Sequence, residues 1–435
     1  MLAGNLVTGT TGSGKTHGVL KTWIRQLLAL CADQPNEKAG ALIIDPKNEL
    51  VSIVRDSLAC CGRQGDLVCI GTDKNDATWN PIGDPKLSPA QITRMILSAS
   101  TVLGQESRMG RGERFWELQD RSLLAALAAL ARHANAELLI PPPITFGQLH
   151  QLRARLSQAD GDLLKWVAGV SKTISAAEVV PLIEFASLPN NTRACVVASC
   201  GSLLEPFCRR PLCGVVEPNP QRREADLRSV FESGKVVLLN TSHAETAVEL
   251  LPAQVLLASE WARLVLARPR LGGNQTRLVW TIIDEAARVI TSYGDPASDI
   301  MDMARASRVG VIIALQNLAA LHAMGNSSAV HRLASLSANH FFLSNTDPIT
   351  AAVAATSLGS AYEYQLHRTV APSWAPPLLF PKKASKANVS AVGVMVPALR
   401  PVLPPEKLAR LKPGEIYFRI STGEIGHVRA DLPAP

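Results

Sequence analysis

The chain has 435 residues, a length that favours two or three domains. Hydrophobic residues make up 47% and charged residues 19%, a composition that supports large buried cores and excludes an intrinsically disordered protein. The formal charge of +7 is mild for this length, and it favours nucleic acid or an acidic membrane surface as a partner.

The sequence gives two indications of compartment. No apolar run reaches the roughly 18 residues needed to cross a bilayer, and the first residues lack the charged and apolar regions of a signal peptide. The eight cysteines are thinly spread, which favours a reducing compartment. No histidine lies near the pairs Cys195/Cys200 and Cys208/Cys213 in sequence, so buried apolar cysteines are favoured over a metal site.

The first predicted elements are a strand, a glycine-rich loop and a helix. The strand covers Asn5–Thr8, and the helix extends from Lys15 to about Ala32. A second apolar run, Ala41–Ile44, ends at Asp45. Two short strands separated by a helix predict a βαβ unit and a parallel sheet.

Between about Leu87 and Ser229 the pattern changes to helical spacing, and strand-like runs are scarce. The apolar periodicity is clearest in Ile92–Val102, Phe115–His133, Phe146–Leu156 and Arg193–Phe207. This part of the sequence predicts an all-helical insertion.

The α/β pattern then returns. The predicted strands are Lys235–Asn240, Leu278–Ile283, Gly310–Ala314 and His340–Leu343, the predicted helices are Thr246–Ala267 and Ala297–Ser307, and a closing hairpin pairs Glu415–Ile420 with Ile425–Arg429. The segment Ala371–Ser390 is rich in Pro, Lys and Ala and is expected to be a mobile linker. The sequence therefore predicts an α/β protein with a mostly parallel sheet and an all-α insertion, divided at residues 1–86, 87–229 and 230–435.

The loop after the first strand, GTTGSGKT, matches the pattern G-x4-G-K-[ST] between a strand and a helix. Its glycines allow the backbone N–H groups to point at phosphate oxygens, and the following helix contributes the positive end of its dipole. Lys15 is expected to reach the β- and γ-phosphates of ATP, and the Thr16 hydroxyl to bind Mg²⁺. The predicted nucleotide-binding residues of this loop are Gly9, Thr10, Thr11, Gly12, Ser13, Gly14, Lys15 and Thr16.

A carboxylate pair follows the apolar run in LVWTIIDEAARV. Asp284 is expected to hold Mg²⁺ through water, and Glu285 to orient or deprotonate the attacking water. A pair of acids that caps a helix is the alternative, but the upstream phosphate loop favours the catalytic interpretation.

Three further residues are candidates near the strand Gly310–Ala314. Gln316 follows that strand, and residues at the carboxyl ends of parallel strands line the ligand crevice, where a glutamine can sense the γ-phosphate. Arg305 and Arg308 precede the strand, and either can act as an arginine finger in the site of a neighbouring subunit or be a surface charge. The sequence does not choose between the two arginines.

Several motifs in order resemble the type IV secretion coupling proteins, the conjugative DNA pumps of the TraG/TraD type within the FtsK/HerA branch of RecA-like motors. IIDPKNEL (Ile43–Leu50) is similar to the family's aspartate-proline-lysine-glycine-glutamate signature, with Asn48 in place of the glycine. TWNPIGDP (Thr78–Pro85) resembles its asparagine-proline turn. The same order continues in ERFWELQDRSLLAALAAL (Glu113–Leu130), DEAAR, the strand with Gln316, SNTDPITA (Ser344–Ala351) and RPVLPPEKLARLKPGE (Arg400–Glu415).

The resemblance implies a RecA-like P-loop ATPase that pumps DNA, forms a hexameric ring around it and uses ATP and Mg²⁺. It also implies a nucleotide-site role for Asp45. The implied partners are DNA without sequence preference, a relaxase or other secretion substrate, and secretion-channel ATPases or inner-membrane components. Members usually begin with membrane helices, whereas this sequence begins almost at its P-loop, as a soluble variant, a truncated product or an expressed portion would. The expected location is cytoplasmic, at the inner membrane if the protein docks at a channel.

Two alternatives remain beside a conjugative coupling protein. One is a soluble FtsK/HerA-like DNA motor that is not tied to secretion, and the other is a nucleotide-gated receptor or scaffold with slow ATP turnover. The sequence does not indicate whether the DNA is single- or double-stranded. Substrate specificity is placed in the helical insertion, where Arg108, Arg111, Arg114 and Arg121 either form a binding cluster or a solvated helix face.

Overall fold

The computed structural model of the protein describes residues 4–103, 113–136, 142–158, 176–241, 248–323, 327–370, 391–430 and 432. Eleven strands lie within these residues: β1 (Gly4–Thr8), β2 (Gly40–Ile44), β3 (Leu67–Gly71), β4 (Val236–Asn240), β5 (Val279–Ile283), β6 (Val309–Leu315), β7 (Ser337–Phe342), β8 (Ser360–Val370), β9 (Ala391–Pro401), β10 (Glu415–Arg419) and β11 (Ile425–Arg429).

The helices of the described residues are numbered in chain order. They are α1 (Lys21–Ala29), α2 (Leu50–Cys60), α3 (Pro89–Thr101), α4 (Glu113–Ala136), α5 (Phe146–Gln158), α6 (Ala176–Ala186), α7 (Asn190–Cys208), α8 (Cys213–Val216), α9 (Ser229–Ser233), α10 (Leu251–Ala267), α11 (Pro296–Met303), α12 (Ala319–Ala323), α13 (Ser327–Leu336), α14 (Pro348–Leu358) and α15 (Pro405–Ala409).

Nine of these strands form one sheet in the order β11-β10-β7-β1-β6-β5-β2-β4-β3. The pairs from β7 to β3 are parallel, and the hairpin β10-β11 adds two antiparallel strands at one edge. This arrangement confirms the predicted mixed α/β fold with a mostly parallel sheet. It also brings the carboxyl ends of β1, β2, β5 and β6 to one edge, where ligands bind in open parallel sheets.

Both faces of the sheet are covered, which explains why apolar residues predominate in its central strands and nearly all of their side chains are buried. On one face, Ala41 and Ile43 pack with the helix after the first loop and with α2. On the other face, Leu42 and Ile44 join a larger core that includes α3, α4 and α10. The two sets alternate along β2 because successive side chains of a strand point to opposite faces.

The segment between β3 and β4 contains α3 to α9, and its described residues contain no strand longer than an isolated bridge. Its apolar core is continuous with one face of the sheet rather than separate from it. The division at residues 87 and 229 stays a prediction. Arg108 and Arg111 lie outside the described residues, and Arg121 is exposed on α4.

Two features differ from the sequence expectations. β8 and β9 form an antiparallel ribbon apart from the main sheet, and the sequence did not predict these strands. The expected linker Ala371–Ser390 connects them and lies outside the described residues. The cysteines are also less buried than predicted, since Cys200 is buried but Cys31, Cys60 and Cys195 are exposed.

Candidate nucleotide-binding site

The loop between β1 and the first helix has the backbone of a phosphate cradle. Gly12 and Gly14 have φ angles of 80° and 94°, a region that residues with a Cβ rarely adopt. A Cβ on Gly9 would lie 2.6 Å from the Ser13 Oγ and 2.8 Å from the Leu343 Cβ, so the loop leaves no space for a side chain there. The helix then begins with a wide π-helical turn, Lys15–Leu20, before α1.

Neighbouring segments fix this loop in place. The Thr10 N–H donates to the Ser344 carbonyl oxygen at 2.9 Å, which ties the loop to the segment after β7. The Gly414 N–H donates to the Ser13 carbonyl oxygen at 2.8 Å, which ties it to the turn before β10. The SNTDPITA and KPGE motifs of the sequence therefore both contact the phosphate loop.

Lys15 is buried, with a relative exposure of 7%, and points at the carboxylate that follows β5. Its Nζ lies 3.4 Å from the Asp284 Oδ1, and it has no hydrogen-bond partner among the described residues. Burial raises the pKa of Asp284, and the neighbouring lysines oppose that effect. The structure thus brings together two predicted site residues that are 269 positions apart.

Glu285 follows Asp284 with a strained backbone. Its φ of 52° is unusual for a residue with a side chain, and such strain is common at functional sites. The Glu285 backbone N–H donates to the Asp284 Oδ1 at 2.9 Å, which helps to fix the Asp284 carboxylate. The Glu285 Oε2 lies 3.0 Å from the Nζ of Lys47, a residue that the sequence interpretation had not assigned to the site.

Lys47 and Glu49 reach the site from the loop after β2. The Asp45 carboxylate accepts hydrogen bonds from the Lys47 N–H at 3.1 Å and from the Leu50 N–H at 2.6 Å. Asp45 therefore organises its own loop, and burial raises its pKa to about 6. The Thr16 hydroxyl lies 3.4 Å from the Glu49 Oε2. A direct contact of Asp45 with nucleotide stays a prediction.

The structure separates Gln316 from the two candidate arginines. Gln316 directly follows β6, and the carbonyl oxygen of the preceding Leu315 accepts the N–H of Gly9 at 3.1 Å, so Gln316 lies beside the phosphate loop. Arg305 and Arg308 are exposed and precede the amino end of β6, whereas the phosphate loop lies at the carboxyl ends of the strands. At about 3.3 Å per residue, the seven residues of β6 put roughly 20 Å between the two ends.

The side chains at this edge fit a magnesium nucleotide. Among the described residues, neither the buried Lys15 ammonium nor the buried Ser13 hydroxyl has a hydrogen-bond partner. The loop backbone supplies the cradle, and Thr16 and Asp284 supply oxygen ligands of the type that Mg²⁺ prefers. Phosphates would satisfy these donors, so the donor set suits a nucleoside triphosphate rather than a neutral ligand.

Comparison with known proteins gives matches among solved structures. No protein-family model matches the chain, and no curated protein matches it. The bacterial conjugative coupling protein TrwB, without its first 70 residues and in its unbound form, superposes with a TM-score of 0.65 at 18% identity, covering 99% of this chain and 85% of that one. TrwB with ADP and Mg²⁺ gives 0.62 at 17% identity, covering 99% and 86%.

VirB4 of Thermoanaerobacter pseudethanolicus gives a TM-score of 0.56 at 14% identity and covers 99% of this chain and 89% of that one. None of the described helices is both long and apolar enough to cross a membrane.

At these identities the likeness to the solved structures concerns the fold. The chain therefore has, over nearly its whole length, the fold of the conjugative coupling protein TrwB.

Proposed function

We propose that the protein is an ATP-hydrolysing DNA translocase of the coupling-protein type, which recruits and pumps a nucleoprotein substrate for conjugative transfer or type IV secretion. The observation that carries the proposal is the meeting of Lys15, Thr16, Asp284 and Glu285 at one edge of the sheet. The fold shared with TrwB, a protein solved with ADP and Mg²⁺, supports it.

Each side chain has a chemical role in this proposal. Lys15 and the loop N–H groups would hold the phosphates, and Thr16 and Asp284 would hold the metal. Bound Mg²⁺ would neutralise charge on the phosphate oxygens. In this proposal Glu285 orients the attacking water and accepts its proton, and the Gln316 amide contacts the terminal phosphate.

The position of the arginines supports assembly. Arg305 and Arg308 are too far from the phosphate loop of their own chain to act there, but a neighbouring subunit can use them if its site faces that edge. A ring in which each subunit lends an arginine to the next is the assembly that the family resemblance implies. We propose a hexamer with DNA through its centre.

The test is the rate of ATP hydrolysis with and without single- and double-stranded DNA, each in two unrelated sequences. We expect DNA to stimulate turnover without sequence preference, because a motor must track any sequence. Binding should weaken steeply with salt, with a log–log slope of about −0.9 for each duplex phosphate contacted. ATP hydrolysis that no DNA changes would favour the nucleotide-gated scaffold. DNA stimulation without a transfer defect on gene deletion would favour the soluble motor.

A further inference from the structure

We infer that Lys47 is a positioning residue that exchanges Glu285 for the terminal phosphate of a bound nucleoside triphosphate, so that Glu285 is released only when a third phosphate is present. This inference deepens the proposed function and rests on it. It assigns a role to a residue outside the phosphate loop and outside the carboxylate pair.

The first observation is that two lysine–carboxylate pairs lie side by side in this structure. The Lys15 Nζ lies 3.4 Å from Asp284, and the Lys47 Nζ lies 3.0 Å from Glu285. Lys15 begins the helical segment after the phosphate loop, Lys47 lies in the loop after β2, and the carboxylates are consecutive residues. Lys47 therefore faces the same small volume as Lys15, which is the residue expected to hold phosphate.

The second observation is that the backbone of Lys47 is held on several sides. Asp45 binds the N–H groups at both ends of the turn, and the Gln254 amide donates to the Asp45 carbonyl oxygen at 3.3 Å. Asn48 has a φ of 59°, and its Oδ1 accepts the Thr241 N–H at 3.1 Å. These contacts fix the backbone from which the Lys47 side chain extends toward Glu285.

The third observation concerns access. The side chain of Glu285 is 7% exposed, whereas that of Lys47 keeps 25% exposure. Lys47 is thus the more accessible side chain of the pair. A lysine is a point charge on a flexible stem and can turn from one oxygen acceptor to another, which a guanidinium fork does less easily.

These observations have one chemical consequence. In this structure the Lys47 ammonium is paired with the carboxylate that the proposed reaction needs as its base. A diphosphate would leave this pair intact, because its phosphates are held by Lys15 and the loop. A triphosphate offers Lys47 an acceptor of higher charge, and Glu285 then becomes available to water.

The experiment measures binding without turnover. Wild-type protein and the variants Lys47→Met, Lys47→Arg and Lys86→Met are titrated calorimetrically with ADP and with a non-hydrolysable ATP analogue. Lys86 is an exposed lysine away from the site and serves as the matched control. Losing one charge-assisted contact should weaken analogue binding to Lys47→Met about tenfold or more, with ADP affinity retained. Lys47→Arg should restore most of the analogue affinity.

A second variant separates exchange from simple attraction. Glu285→Gln removes the negative charge that holds Lys47, so analogue affinity should rise, and the rise should vanish in the Glu285→Gln/Lys47→Met double variant. Equal loss of ADP and analogue affinity in Lys47→Met, or no change in either, would overturn the inference. Failure of the folded wild-type protein to bind either nucleotide would instead contradict the proposed function.

Discussion

Glu285 combines three unusual properties in one residue: a left-handed backbone, a buried carboxylate and a lysine partner. We predict that Glu285→Gln lowers the rate of ATP hydrolysis about 10²- to 10⁴-fold, the range typical of a lost general base. The change keeps the shape of the side chain, so ATP should bind and persist. A filter-binding assay for protein-bound ATP and single-turnover kinetics of hydrolysis measure this outcome. Glu424→Gln, in the exposed turn between β10 and β11, is the control, and unchanged turnover in Glu285→Gln would move the base to another residue.

Lys15 leads to a different expectation. We predict that Lys15→Ala lowers both nucleotide affinity and turnover, the latter by about 10²-fold or more, as for other preorganised donors that stabilise developing charge. Circular dichroism should show an intact fold, because the Lys15 ammonium makes no hydrogen bond among the described residues. Lys21→Ala in the same helical segment should behave as wild type. Normal affinity and turnover in Lys15→Ala would refute the phosphate-loop assignment.

At the level of residues, the sequence identified what is local and missed what depends on strand pairing. The phosphate loop is contiguous, and Asp284 and Glu285 end a clear apolar run, so both were predictable. Lys47 joins them because β2 lies beside β5, with Ile44 opposite Ile283. A parallel sheet was expected but its strand order was not, and only that order places Lys47 against Glu285.

Among the elements, α10 and the turn after β3 are joined through a buried carboxyl group. The Trp79 indole N–H donates to the Glu260 Oε2 at 2.9 Å, and burial raises the pKa of Glu260 to about 8. The folded state therefore keeps a proton that the unfolded state loses above its ordinary pKa of 4.5. Stability should fall as the pH rises between these two values, by up to about 1.4 kcal/mol for each pH unit.

We predict that Glu260→Gln flattens this part of the pH dependence, because an amide cannot titrate. Urea unfolding at several pH values between 5 and about 9 measures the effect, since the window follows from the raised pKa. Glu232→Gln, an exposed change on α9, should leave the wild-type slope unchanged. An equal slope in wild-type protein and Glu260→Gln would show that another group controls it.

The elements themselves were largely predictable where one periodicity continues. β2 and β6 are uninterrupted apolar runs, β5 is apolar apart from Thr281, and the closing hairpin was placed within one residue of its observed bounds. The sequence analysis missed the ribbon β8-β9, although Tyr362, Tyr364 and Leu366 alternate as in a strand. The second strand contains two prolines, and the segment between the strands has the composition of a linker. The π-helical turn after the phosphate loop has no sequence signal that we recognise.

For the whole molecule, the separation of the arginines from the phosphate loop makes assembly testable. We predict that Lys15→Ala and the Arg305→Ala/Arg308→Ala double variant each hydrolyse ATP far more slowly than wild type when alone, but that mixing them restores activity. A subunit with an intact phosphate loop would then meet a neighbour with intact arginines. If subunits mix at random in a head-to-tail ring, about a quarter of the interfaces should be complete. ATP hydrolysis in mixed samples, with assembly mass from light scattering, measures this result, and absence of recovery in mixed rings would exclude action between subunits.

The strand order also has a consequence for how the protein is made. β1 pairs with β6 and β7, and Gly4 lies opposite Val311. The strand before the phosphate loop is therefore synthesised 307 residues ahead of its nearest pairing partner in sequence. Ribosomes add about 5–20 residues each second, which leaves β1 without its sheet neighbours for roughly 15–60 s. The contact between the Gly414 N–H and the Ser13 carbonyl oxygen of the phosphate loop can form only later still. If the loop binds ATP as proposed, a nascent chain can do so only after β6 and β7 have been synthesised, and nucleotide can stabilise only chains that contain these strands.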